Sequence, residues 1–320
     1  SILPSFLNQI AEPSRILGVF LLLGLPKLAW AAESGSGVWP AWVWMALLFA
    51  TTFVIGVFGV MAGIGGGVLF VPLVSGFFPF HIDFVRGAGL FIALGSSLAA
   101  APYLLRKNLA SLRLAMPVAL IASAFSIVGA QLGLWLSELN PAYIQGALGL
   151  VILGIAMIML RTPSSAFPVV SGNDPVAKWL GLHGWFVEET TGERVNWTVH
   201  RAAVGLPGFV LVGLLAGLFG LGAGWANVPL LNLVLGAPLK IAVATSSFSL
   251  SITDTTAAWV YFNRGAVLPA LVVPSLTGVM LGAMLGSRIL PHVPAFVIRR
   301  LVIGVLMLAG IRSVLKAMGW

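Results

Sequence analysis

The sequence predicts an all-α polytopic membrane protein built from two tandem homologous repeats. Its composition is the first observation: 59% of the 320 residues are hydrophobic and only 8% are charged. A soluble domain of this composition would have an apolar surface almost everywhere. The second observation is that apolar runs of about 17 to 25 residues recur along the chain, each long enough to cross a hydrocarbon core. The third is a glycine-rich interruption that occurs twice.

The N-terminal segment, residues 1–38, lies outside the repeated unit. Arg15 and the apolar stretch at residues 16–29 resemble a secretory signal peptide that ends at a cleavage site. Because Lys27 interrupts the apolar stretch, we interpret the segment as one extra N-terminal membrane helix.

Two glycine-rich breaks interrupt long apolar runs. Residues 63–67 read GIGGG and residues 220–224 read GLGAG, and each is followed five residues later by a proline, Pro72 or Pro229. Glycine is unfavourable in a helix interior by roughly 0.5–1 kcal/mol relative to alanine, so such clusters indicate a broken helix. We define the first cluster as break 1 and the second as break 2.

An offset of 157 residues brings the breaks into register and aligns repeat 1 (39–161) with repeat 2 (201–320). Each break lies in an apolar run of about 35 residues, which as one helix would be roughly 50 Å long. The run must therefore fold back, either as two crossings or as a re-entrant hairpin. Five crossings per half give inverted repeats, whereas four give parallel repeats. The distribution of Lys and Arg barely discriminates between these two arrangements. Segment length favours inverted repeats.

A polar loop at residues 162–200 separates the repeats. Within it Trp185–Glu189 and Arg194–Val199 contain residues that favour strands, and they flank a turn that contains Gly192. This pattern predicts a short hairpin in a soluble loop.

The charged residues exclude several classes of function. The net charge is +8, but the 17 Lys and Arg are scattered over short connections, which is typical of topology signals and not of a nucleic-acid surface. There is no cysteine, and the four histidines fall in loops or at segment ends. We therefore expect no enzyme active site, no metal or other cofactor, and no nucleic-acid partner.

The breaks predict a site for a small anion. The first amides of a helix that begins inside the membrane have no intrahelical partner, and the helix dipole adds partial positive charge there. Two such ends near the bilayer midplane could hold a substrate between the repeats. The alternative is that the glycines only allow close helix packing. The predicted substrate-binding residues are Gly65, Gly66, Gly67, Ser96, Ser97, Gly222, Gly224, Trp225, Asn227, Ser246, Ser247 and Thr253.

Asp254 lies within a stretch that is unusually hydroxyl-rich for a membrane helix, TSSFSLSITDTT at residues 245–256. An ionisable group deep in a membrane segment is costly and predicts a function. Asp254 could carry a coupling proton, coordinate a cation, or pair with Arg86 or Arg288. Arg86 follows Asp83 near a segment start, where we expect its charge to reach the interface.

Several motifs together resemble the TauE/SafE family of sulfite exporters. They are Val71-Pro72-Leu73, Val228-Pro229-Leu230, Ala244-Thr245-Ser246 and Gly282-Ala283-Met284-Leu285-Gly286. The resemblance covers Trp42 to Arg312, although Arg86-Gly87-Ala88-Gly89 replaces the Ala-Thr-Ser pattern in the first half. It implies sulfite, sulfonates or related sulfur-containing oxyanions as cargo, and a bacterial inner membrane.

The sequence thus predicts a secondary transporter that alternates access around an anion held at the two breaks. A proton or a cation could be the coupling ion. Its other partner is the lipid bilayer. A passive anion channel and a membrane-embedded enzyme of sulfur metabolism are the alternatives.

Overall fold

The structure, a computed structural model, describes residues 41–62, 65–78, 80–106, 110–161, 174–187, 194–289 and 295–318. The predicted N-terminal helix at residues 1–38 lies outside these stretches. The helices are α1 (Ala41–Ala62), α2 (Gly67–Phe77), α3 (Ile82–Arg106), α4 (Leu112–Leu139), α5 (Pro141–Arg161), α6 (Pro175–Trp179), α7 (Ala202–Phe219), α8 (Gly224–Pro229), a π-helical turn (Leu230–Val234), α9 (Leu239–Asn263), α10 (Pro269–Ile289) and α11 (Ala295–Ala317).

Five of these helices, α1, α3, α4, α7 and α10, are long and apolar enough to cross a membrane. Helices α2 and α5 carry shorter apolar stretches. Backbone polar groups in a bilayer must be paired within the protein, and a helix pairs them within one segment. The predicted all-α membrane fold is therefore confirmed.

The chain folds back at both breaks. At break 1, Gly65 has a φ of +75°, and α2 returns until the ring of Phe78 lies 5.8 Å from that of Trp44, near the start of α1. At break 2, Gly220 and Gly222 have φ of +67° and +73°. The π-helical turn then leads to Leu235, whose carbonyl accepts a hydrogen bond from the His200 amide just before α7. Each run therefore forms a hairpin that ends near where it began, and not a single crossing.

The halves exchange helices, since α1 packs against α10 and α7 packs against α4. The contacts match at the 157-residue offset: a Cβ on Gly286 would lie 2.5 Å from the Val57 carbonyl oxygen, and one on Gly129 would clash with the carbonyl oxygen of Leu214. Gly286 corresponds to Gly129, and Leu214 corresponds to Val57. Glycine at these positions lets the helix backbones touch.

Helices α3 and α9, which correspond to each other, pack together and run in opposite directions. Near the start of α3, a Cβ on Gly87 would meet the Tyr261 side chain near the end of α9. Near the other end of α3, Ala100 shares an apolar cluster with Ala244, near the start of α9. Opposite directions for corresponding helices are what inverted repeats require, so the packing favours that prediction over parallel repeats.

The loop between the halves forms the predicted hairpin. Strands β1 (His183–Val187) and β2 (Arg194–Thr198) pair antiparallel, with Trp185 opposite Asn196. The carboxylate of Asp174 precedes this hairpin and accepts hydrogen bonds from the amides of Val176 and Ala177 at the start of α6 and of Ala202 at the start of α7. The loop is therefore anchored to the second half.

Candidate substrate site

The two breaks meet near the middle of α3. A Cβ on Gly67 would lie 2.7 Å from the carbonyl oxygens of both Leu221 and Gly89. A Cβ on Gly89 would in turn lie 2.5 Å from the Gly220 carbonyl oxygen. Break 1, break 2 and α3 are thus in backbone contact, a packing that any side chain at these positions would prevent.

Corresponding residues of the two halves line the breaks. Gly65 lies beside Leu250 of α9, and its counterpart Gly222 lies beside Ala93 of α3, which is the counterpart of Leu250. Ser96 completes the arrangement at break 1, since its hydroxyl accepts a hydrogen bond of 3.1 Å from the Gly66 amide and donates one of 2.9 Å to the Ala93 carbonyl. The contacts between the breaks and α3 and α9 are therefore related by the repeat.

The second half supplies buried polar groups that lack hydrogen-bond partners among the described residues. Ser246 and Thr253 lie on the same face of α9 as Leu250, and Asn227 lies on α8, which packs against α9. The hydroxyls of Ser246 and Thr253, the amide of Asn227 and both oxygens of Asp254 make no hydrogen bond of good geometry, and all four residues are fully buried. The counterparts in the first half are Gly89, Ser96, Phe70 and Ser97.

The other predicted site residues differ in whether their polar groups already have a hydrogen-bond partner. Ser97 donates to the Ala93 carbonyl and Ser247 donates to the Val243 carbonyl, so each bonds within its own helix. Gly224 begins α8, and the indole nitrogen of the half-buried Trp225 has no partner among the described residues. Whether these residues bind substrate stays a prediction.

Asp254 faces break 2. A Cβ on Gly222 would lie 3.1 and 3.4 Å from its two carboxylate oxygens. The Ala223 amide also interacts with the carboxylate, although it does not reach good hydrogen-bond geometry. Arg86 pairs with Asp83, and Arg288 is exposed at the end of α10. Neither arginine forms an ion pair with Asp254.

The expectation that Arg86 reaches the membrane interface is wrong. Its side chain is fully buried, and its guanidinium donates to Asp83 and to the carbonyls of Gly133 and Leu218. The guanidinium also lies 5.3 Å from the centre of the Tyr261 ring. Leu218 lies in the last turn of α7, where helix carbonyls lack intrahelical partners. Arg86 therefore caps the helix that leads into break 2.

Sequence reasoning missed Tyr261 as well as the role of Arg86. The Tyr261 hydroxyl donates a 3.0 Å hydrogen bond to the Gly217 carbonyl, next to the carbonyl that Arg86 binds. The available signal was Asp83 three residues before Arg86, a spacing that allows an ion pair on one helix face. Among the described residues, no group of three or more His, Cys, Asp or Glu could hold a metal ion.

Comparison with known proteins agrees with this architecture. The model of the family described as "Sulfite exporter TauE/SafE" matches residues 47–313. A similar curated protein is the "Probable membrane transporter protein YunE" of Bacillus subtilis (strain 168). It is 24% identical over 250 residues, which cover 76% of this chain and 87% of that protein. No solved structure matches.

Proposed function

This chain belongs to the TauE/SafE family of sulfite exporters and is a multi-pass membrane transporter, and from that premise we propose that it carries small sulfur-containing oxyanions. The substrate binds where the two breaks meet, and the halves alternate access around it. The cellular location we propose is the bacterial inner membrane.

One observation carries the proposal: buried polar groups without partners lie beside a duplicated helix break. A buried polar group without a hydrogen bond is costly, and a bound ligand is one partner that would remove this cost. The amide nitrogen of Asn227 and the hydroxyls of Ser246 and Thr253 can each donate to an oxyanion. Sulfite and sulfonates carry three acceptor oxygens on one sulfur, so one anion can accept hydrogen bonds from more than one donor.

The burial of this region supports alternating access over a passive channel. Gly65, Gly66 and Gly67 are buried, and the side chains of Ser96 and Thr253 are 1% and 0% exposed. An open channel would expose its lining to solvent, whereas a carrier passes through a state in which the site is closed on both sides. Saturable exchange between labelled and unlabelled anion would support the carrier, and flux that rises linearly with concentration would support the channel.

The direct test is transport by the purified protein in liposomes. Labelled sulfite, methanesulfonate and thiosulfate are offered in separate reactions, with and without a pH gradient, and empty liposomes give the background. We expect saturable uptake of at least one sulfur oxyanion. Absence of flux for all three, from protein that is monodisperse before reconstitution, would contradict the assignment.

A matched pair of variants tests the site itself. Thr253→Val removes a buried hydroxyl without a partner, whereas Thr255→Val removes an exposed hydroxyl that bonds to the Ser251 carbonyl of its own helix. We expect Thr253→Val to raise the KM about tenfold, which corresponds to the loss of one hydrogen bond to a charged ligand. Thr255→Val should stay within about twofold of wild type. Equal effects would remove Thr253 from the site.

A further inference from the structure

The only carboxylate at the breaks, among the residues that the structure describes, belongs to Asp254. It is fully buried, and Gly222 and the Ala223 amide of break 2 lie against it. Break 2 is also where the proposed function places the anion. An ionised Asp254 and an anion would therefore be two negative charges in one buried space. Their repulsion would weaken binding of the anion.

No described cation neutralises this carboxylate. Helices α3, α4, α7 and α8 and the π-helical turn pack against α9. The last three contain no charged residue. On α3, Arg86 is paired with Asp83 at the level of Tyr261, about 10 Å along α9 from Asp254. On α4, Arg113 and Glu138 are exposed near its two ends.

We propose that the anion and a proton bind together, a proposal that rests on the proposed function. The site then holds one negative charge whether it is empty or loaded. Asp254 is ionised when the site is empty, and it is a neutral carboxylic acid when the anion is bound. In the neutral form it gains one O–H donor, which can serve an oxygen of the substrate.

Three consequences distinguish this scheme from coupling in general. One proton crosses with each anion and in the same direction. The charge of the moving protein is the same in both half-cycles, so the full cycle moves no net charge. Singly charged oxyanions are favoured over doubly charged ones, because the second negative charge would be buried without a cation to compensate it, which is costly.

The test uses the full-length protein in liposomes that contain a pH-sensitive dye. Methanesulfonate is the probe because it stays singly charged over the pH range used, and sulfate is the doubly charged comparison. We expect methanesulfonate entry to acidify the lumen with one proton per anion. An imposed potassium diffusion potential should drive no net accumulation of methanesulfonate, and sulfate should be transported at least tenfold more slowly. Proton exit, absence of proton movement, or accumulation driven by the potential would overturn the proposal.

The variant Asp254→Asn identifies the carboxylate, and Glu138→Gln removes an exposed carboxylate of α4 as the matched control. The neutral amide of Asp254→Asn resembles the protonated acid, so we expect any exchange of methanesulfonate by this variant to be independent of pH and to move no protons. Asp254→Glu should restore proton movement, and Glu138→Gln should match wild type. Proton coupling that survives in Asp254→Asn would contradict the role of Asp254. If Asp254→Asn does not fold, the number of protons that the wild-type protein moves per methanesulfonate still tests the proposal.

The two proposals fail in different ways. If the wild-type protein transports no sulfur oxyanion, the proposed function is wrong. If it transports methanesulfonate without proton entry, the function stands and the one-charge scheme is wrong.

Discussion

Arg86 of the first half and Tyr261 of the second half hold the same end of α7. The Arg86 guanidinium donates to the Leu218 carbonyl, the Tyr261 hydroxyl donates to the Gly217 carbonyl, and the guanidinium lies over the tyrosine ring. At the 157-residue offset the counterparts are Val243 and Leu104, neither of which can donate. The two positions that cap the helix entering break 2 therefore have no donor at the corresponding positions for break 1.

Arg86→Leu is expected to destabilise the protein by about 3–5 kcal/mol, because it leaves Asp83 and two helix carbonyls without their buried partner. Thermal unfolding in detergent measures the effect. Arg264→Gln is the control, since Arg264 is an exposed arginine after α9, and it should melt within about 2 °C of wild type. Equal melting temperatures for Arg86→Leu and wild type would contradict the capping role.

Gly222→Ala is expected to abolish transport. Its Cβ would lie 2.9 Å from the Ala93 Cβ and 3.1 Å from a carboxylate oxygen of Asp254, and φ is +73°. Gly265→Ala is matched in backbone strain, with φ of +68°, but its Cβ would meet nothing within 4 Å. The control should retain transport and lose only about 1–2 kcal/mol of stability. If both variants transport equally well, close packing at break 2 is not required.

Ser96→Ala should destabilise the protein by about 1–3 kcal/mol, because the buried Gly66 amide then has no acceptor. The neighbouring Ser97→Ala removes a hydroxyl that bonds only to the Ala93 carbonyl of its own helix. Its effect should be below about 0.5 kcal/mol. Chemical denaturation of both variants in the same detergent provides the comparison, and a larger loss for Ser97→Ala would refute the role of Ser96 at break 1.

Asp174 should make the stability of the second half depend on acid. Its hydrogen bond from the Ala202 amide is the main cause that lowers the pKa of this carboxyl below its usual range. A lowered pKa in the folded state stabilises the protein above the unfolded-state value, near 3.8, and this contribution is lost as the pH falls through the folded-state value. Melting curves should show Asp174→Ala less stable than wild type at pH 7. The gap should narrow below about pH 4, and a gap that widens in acid would contradict the prediction.

Local sequence was sufficient to predict the hairpins at the breaks. Glycine clusters in apolar runs that are too long for one crossing leave few alternatives, and Gly65 and Gly222 adopt the positive φ that only glycine readily takes. The β-hairpin was predicted for the same reason, since strand-forming residues flank a short turn. The 157-residue register also indicated that α3 and α9 correspond to each other. Only the structure shows that these two helices pack together.

The buried position of Arg86 could not be predicted from neighbouring residues. Its partners Gly133, Leu218 and Tyr261 belong to three other helices, and the ends of α7 and α9 meet α3 only after the whole chain has packed. For the same reason the sequence could not tell which of the hydroxyls in α9 bond within the helix, as Ser247 does, and which are left without partners, as Thr253 is.

The exchange of helices between the halves also sets an order for biosynthesis. Helix α1 is made before α10, the helix that covers it, which follows about 200 residues later. Contacts between such distant segments form late in folding. During translation the Gly56 face of α1 therefore stays exposed to lipid or to an insertion chaperone until α10 has been made.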